Sequence, residues 1–139
     1  EVKIVEVGPR DGLQNEPTAI SAEDKVEFVK RLYDAGCRTI ECGAYVSPKW
    51  VPTMATTPAV MDELGQWKRS LPSSSASPAS GASSDLVLSC LVPNRRGLVQ
   101  ALETDGAVDE VAIFGSASEP FSQKVGTLLH ELPHIHAPF

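Results

Sequence analysis

Four β-branched runs separated by amphipathic stretches set the first limit on the fold. The runs are VKIVEVG (2–8), RTIECGAY (38–45), DLVLSCLVP (85–93) and EVAIFGSAS (110–118). Each reads as a strand, the first a buried one ending at Gly8-Pro9. Between them, 21–36 reads as a helix. Ser21 and Asp24 form a capping signal, and Ala22, Val26, Val29 and Tyr33 recur at helical spacing with Leu32 beside them. Gly36 stops the helix. Residues 58–69, with Pro58 in the first turn, and 94–106, between Asn94 and Gly106, read as two further helices. A β-α-β-α-β-α-β order implies a parallel sheet with right-handed crossovers. A doubly wound open sheet and a (β/α)8 barrel both fit. Both place functional groups at the carboxyl ends of strands, where Arg10, Asp11 and Glu41 fall.

One stretch breaks the alternation. Residues 70–84 hold eight serines and two prolines in fifteen positions. Such a composition cannot bury a core, and it reads as a disordered insertion where a short helix-to-strand connection is expected. At 139 residues the chain is about one domain, and 42% hydrophobic residues suffice for a core. A net charge of −6 argues against a nucleic-acid partner. No apolar run approaches the roughly 20 residues of a membrane span. Cys37, Cys42 and Cys90 form no CxxC pair; they read as buried, inert thiols in a reducing compartment. The chain begins with Glu rather than Met and shows no targeting segment, and the expectation is that an earlier amino-terminal stretch is missing.

Candidate chemistry gathers in three places. Asp11 reads either as a turn aspartate capping backbone amides or as a carboxylate ligand for Mg²⁺ or Mn²⁺. Arg10 reads either as a salt-bridge partner of Glu6 or Glu16, or as a clamp for a substrate carboxylate or enolate. Glu41 sits between Ile40 and Cys42 and is expected to be partly buried. A buried carboxylate needs a partner, and Arg10 on the neighbouring strand end is the natural one. AYVSPKWVPTM (44–54) reads as a rigid loop, either catalytic or simply packed. His130, His134 and His136 lie in a proline-rich tail; His134 and His136 have metal-ligand spacing, but no acid follows them.

Three of these stretches carry a resemblance. VKIVEVGPRDGLQNE (2–16), TIECGAYVSPKWVPTM (39–54) and VAIFGSASEPFSQK (111–124) resemble the 3-hydroxy-3-methylglutaryl-CoA lyases, over about 1–69 and 85–124. The first motif is shared with a wider set of barrel lyases and aldolase-like synthases; YVSPKWVPTM is the more specific. The resemblance implies a (β/α)8 TIM barrel, of which this chain holds the first four or so βα units as a partial barrel over 1–125, followed by a divergent tail over 126–139. It implies metal-assisted carbon–carbon cleavage of an acyl-CoA substrate to acetyl-CoA and acetoacetate, in leucine breakdown and ketone-body formation. It further implies Mg²⁺ or Mn²⁺, a mitochondrial location, and allows a homodimer in the intact family. By similarity Asp11 matches a metal-ligand aspartate, Arg10 the catalytic arginine and Glu41 an active-site glutamate. The family's later His-x-His-aspartate ligands and glycine-rich cysteine loop have no match, so the tail histidines and the cysteines receive no role. A noncatalytic fragment or interaction module of the same family is the alternative.

Overall fold

The computed structural model describes residues 2–71, 86–104 and 106–114. Three helices and three strands alternate: α1 (Ala22–Asp34), β1 (Thr39–Ala44), α2 (Thr57–Ser70), β2 (Val87–Leu91), α3 (Arg95–Leu102) and β3 (Glu110–Ala112). The strands pair in parallel in the order β1-β2-β3.

Local chemistry sets the helix ends. The Ser21 hydroxyl accepts from the Asp24 amide at 3.0 Å and so caps the amino end of α1. At the other end Gly36 takes a φ of 106°, and the Gly36 and Cys37 amides donate back to the Tyr33 and Leu32 carbonyls. That paired return is a Schellman stop, and it needs a residue without a side chain at the left-handed position. Asn94 caps α3 through the Gly97 amide at 3.0 Å. Val26 and Val29 of α1 and Val60, Met61 and Leu64 of α2 close over Ile40, Cys42, Leu88 and Cys90 of the sheet. All six residues of β1 are buried, as befits a parallel strand covered on both faces.

Four expectations need correction. α3 ends at Leu102 rather than at Gly106, and Cys37 is half-buried while Cys42 and Cys90 are buried. Residues 2–8 do not form a buried strand. Their one ladder contact is a parallel bridge between Glu6 and Ile40, and Val2 and Ile4 are 83% and 79% exposed. A β-branched run becomes a buried strand only where neighbours cover it. Here β1 borders the segment at a single residue. The serine-rich stretch also begins later than position 70, because α2 runs through Ser70 and Leu71 packs on the core. The remainder of that stretch, the end of the fourth predicted strand, and the tail with its three histidines lie outside the described residues. No described helix is long and apolar enough to cross a membrane.

Candidate active site

The chain leaves its bridge to Ile40 and at once makes a wide helical turn over Gly8–Gly12, with Pro9 buried beneath it. The Arg10 and Asp11 amides both donate to the Val7 carbonyl, at 3.1 and 2.7 Å. Glu6 caps the same turn, its carboxylate accepting from the Gly8 amide at 2.7 Å. The turn therefore holds two adjacent charged side chains at the carboxyl end of the first segment.

Glu41 meets them from β1. It is only 6% exposed, and its amide donates to the Glu6 carbonyl at 2.8 Å. The strand register slips between Glu41 and Gly43: Glu41 lies opposite Ser89, and Gly43 opposite Cys90. Such an irregularity re-aims side chains beside functional sites. The Glu41 carboxylate accepts from Arg10 Nε, while Arg10 Nη1 donates to Asp11 Oδ1 at 2.8 Å. The structure thus brings Arg10, Asp11 and Glu41 together. Of the partners open to Arg10 on sequence grounds, Glu41 is used and neither Glu6 nor Glu16 is; Asp11 is a further one.

Burial divides the roles within this trio. The Glu41 carboxylate is enclosed and the guanidinium is nearly so, whereas the Asp11 side chain is 61% exposed. Glu41 fixes the plane of the guanidinium from below. Arg10 uses Nε and Nη1 on these two carboxylates, and a guanidinium carries further N–H donors of the kind that receive an oxyanion.

The loop after β1 borders this end. Lys25 of α1 is buried, yet its ammonium donates to the Thr53 carbonyl and, at 2.8 Å, to the Thr56 hydroxyl. Burial lowers its pKa below the ordinary 10.5. The Thr53 hydroxyl donates to the Gln14 carbonyl at 3.0 Å. Sequence reading missed Lys25 and Thr56, and took Thr53 only as part of the 44–54 loop. The available signal was Lys25 itself, three and four residues from Ala22 and Val29 on the apolar stripe of its helix. Tyr45, the residue that follows β1, is buried as well. Its hydroxyl is buried without an aligned hydrogen-bond partner among the described residues. Burial pushes it up to about 12, with Thr104 opposing that shift.

Residues 1–128 match the HMGL-like family model. The chain belongs to the HMGL-like family. It is 42% identical over 124 residues to the 3-hydroxy-3-isohexenylglutaryl-CoA/hydroxymethylglutaryl-CoA lyase of Pseudomonas aeruginosa, a match covering 89% of this chain and 35% of that protein. The solved HMG-CoA lyase of Bacillus subtilis superposes with a TM-score of 0.70 at 34% identity, over 97% of this chain and 40% of that one. The lyase of Acinetobacter baumannii, solved in complex with coenzyme A and 3-methylmalate, superposes with a TM-score of 0.66 at 28% identity, over 87% and 34%. The chain thus spans between a third and two fifths of these relatives. With these neighbours, the open parallel sheet is a partial (β/α)8 barrel. Other relatives at similar identity are named as mitochondrial or as cytoplasmic, so membership of the HMGL-like family does not fix a compartment.

A divalent cation finds an incomplete donor set here. Among the described residues no three His, Cys, Asp or Glu side chains converge as ligands. Asp11 offers one carboxylate, and Arg10 already engages one of its oxygens. Mg²⁺ is commonly held by one or two carboxylates with waters and substrate oxygens completing its octahedron, so Asp11 would supply one ligand of such a site.

Proposed function

We propose that this chain supplies the arginine half of a hydroxymethylglutaryl-CoA lyase site, for cleavage of 3-hydroxy-3-methylglutaryl-CoA to acetyl-CoA and acetoacetate. The observation that carries the reading is the Arg10 fork, held by buried Glu41 and presented beside Asp11. As the tertiary hydroxyl loses its proton and becomes the acetoacetate carbonyl, the carbon–carbon bond breaks and leaves the acetyl-CoA fragment as an enolate, which takes up a proton to give acetyl-CoA. Negative charge grows on the thioester oxygen during that step, and a fixed guanidinium stabilises it without reorganising. Glu41 keeps the fork from rotating away and balances its charge before substrate arrives. By family resemblance Asp11 is the carboxylate offered to Mg²⁺ or Mn²⁺, an ion that would hold the substrate's hydroxyl and carboxylate oxygens.

The acyl-CoA substrate, a mitochondrial setting, and a place in leucine breakdown and ketone-body formation belong to the same reading. So does a homodimer of the intact protein. Relatives named as lyases support a catalytic role over a noncatalytic interaction module. The test is a chimera in which residues 1–128 replace the matching segment of the P. aeruginosa lyase. It should release acetoacetate with added Mg²⁺ or Mn²⁺, and Arg10→Gln should lower kcat about 10²–10³-fold, the usual effect of removing one oxyanion-stabilising donor. A folded chimera that turns over equally well with Arg10→Gln would overturn the proposal.

A further inference from the structure

Lys25 is a buried ammonium in contact with no described carboxylate. Taking such a charge out of water is costly unless its donors are satisfied. Here they meet oxygens of one loop: the Thr53 carbonyl and the Thr56 hydroxyl. Thr53 then turns its own hydroxyl to the Gln14 carbonyl, three residues beyond Asp11. The Arg10–Asp11 turn is consequently gripped at two ends. Glu41 of β1 holds Arg10 on one side, and the chain from Lys25 through Thr53 to Gln14 holds the other. A nonpolar residue would fill this position on α1 at lower desolvation cost, so packing alone does not account for a lysine there.

We propose that Lys25 is a positioning residue, which fixes the Arg10–Asp11 turn by locking the loop after β1 through Thr53. The inference rests on the proposed function only for the purpose of the turn; the tether itself is independent of activity. Lys25 touches neither Arg10 nor Asp11 in any described hydrogen bond or ion pair and acts through Thr53 and Thr56 of the loop.

The test is amide hydrogen exchange on the full chain, without substrate. The reporting amides are Asp11 and Glu16, bonded to Val7 and Leu13, and Met54 and Ala55, bonded to Val51 and Pro52. Lys25→Met keeps the stem and removes the donors. It should speed exchange at both pairs about tenfold or more, the scale set by losing a charge-assisted hydrogen bond. Lys25→Arg, which keeps a charged donor, should restore much of that protection; simple loss of packing would not be rescued this way. Thr53→Val cuts the link to Gln14 and leaves the Thr53 carbonyl in place. It should speed exchange at Asp11 and Glu16 and leave Met54 and Ala55 unchanged. If Lys25→Met does not fold, the Thr53→Val result decides, and unchanged exchange at Asp11 and Glu16 in that variant overturns the proposal. Acceleration in Lys25→Met confined to α1, or spread evenly over the whole chain, overturns it as well. Failure of the chimera to release acetoacetate bears on the proposed reaction and leaves these exchange patterns untouched.

Discussion

Burial pushes the thiols of Cys42 and Cys90 well above their ordinary 9.0, and neighbouring negative groups push the same way. Both side chains lie on the central strands, with Cys42 donating weakly to the Ile40 carbonyl. Neither is a nucleophile at neutral pH, since the thiolate is the reactive form. The consequence is for stability. In the unfolded chain these thiols ionise from about pH 9, while in the folded chain they stay protonated. A raised folded pKa contributes stability that is complete below the unfolded pKa and is lost as pH rises. Tyr45, raised to about 12 from 10.0, adds the same trend above pH 10. Lys25 has the opposite sign: its lowered pKa makes folding easier as pH climbs toward 10.5. Two thiols and a phenol outnumber one ammonium, so net stability should fall between about pH 9 and 11. Each fully coupled group contributes at most about 1.4 kcal/mol per pH unit. Urea midpoints at pH 8 and 10.5 measure it. Cys90→Ala should show a lower midpoint at pH 8 and a shallower alkaline decline; an undiminished decline would assign the effect to other groups.

At the scale of elements, the join between β1 and α2 carries most of the geometry around the site. Thr57 lies at the start of α2, its hydroxyl donating to the Met54 carbonyl at 2.8 Å and accepting from the Ala44 amide at 3.2 Å. Gly43 permits this approach, because a Cβ there would sit 2.6 Å from the Thr57 oxygen. Gly43→Ala should therefore cost about 1–3 kcal/mol, the usual penalty for overpacking, read as a lower urea midpoint. A change below about 0.5 kcal/mol would show that the join yields freely. This join was not legible in the sequence, where Gly43 is one residue of an ordinary strand pattern. The helices and the central strands were legible, because Ser21, Gly36, Asn94 and the 3.6-residue periodicity act locally. The pairing of Glu41 with Arg10 was also readable, since a carboxylate between Ile40 and Cys42 requires a cation. The strand over 2–8 was misread for the opposite reason. Local propensity favours it, but burial depends on neighbours that no single segment encodes. Lys25 escaped notice because helical spacing was counted on apolar residues alone.

On the scale of the whole molecule, the sheet is the opening arc of a barrel. β1 and β2 pair over five positions and β2 and β3 over three, while the segment before β1 joins its ladder by one described bridge, from Glu6 to Ile40. The ion pair between Lys3 and Glu110 at 2.7 Å is exposed and adds little to stability. The core between α1, α2 and the two central strands is built from elements that flank the serine-rich stretch on both sides. α2 ends with the Ser70 hydroxyl donating to the Trp67 carbonyl at 2.7 Å, and Leu71 still packs on the core. The chain is next described at Leu86, itself buried, just before β2. Both anchors of the connection, Leu71 and Leu86, thus sit on the core. Replacing 72–84 with a short flexible turn that still spans from Leu71 to Leu86 changes loop-closure entropy only logarithmically. The expected shift in unfolding free energy is within about 1 kcal/mol, measured by urea denaturation of the two chains side by side. Exchange at the Lys25-dependent amides should remain as in the parent. A loss of several kcal/mol would instead show that the serine-rich stretch packs against the partial barrel and belongs to its folding unit.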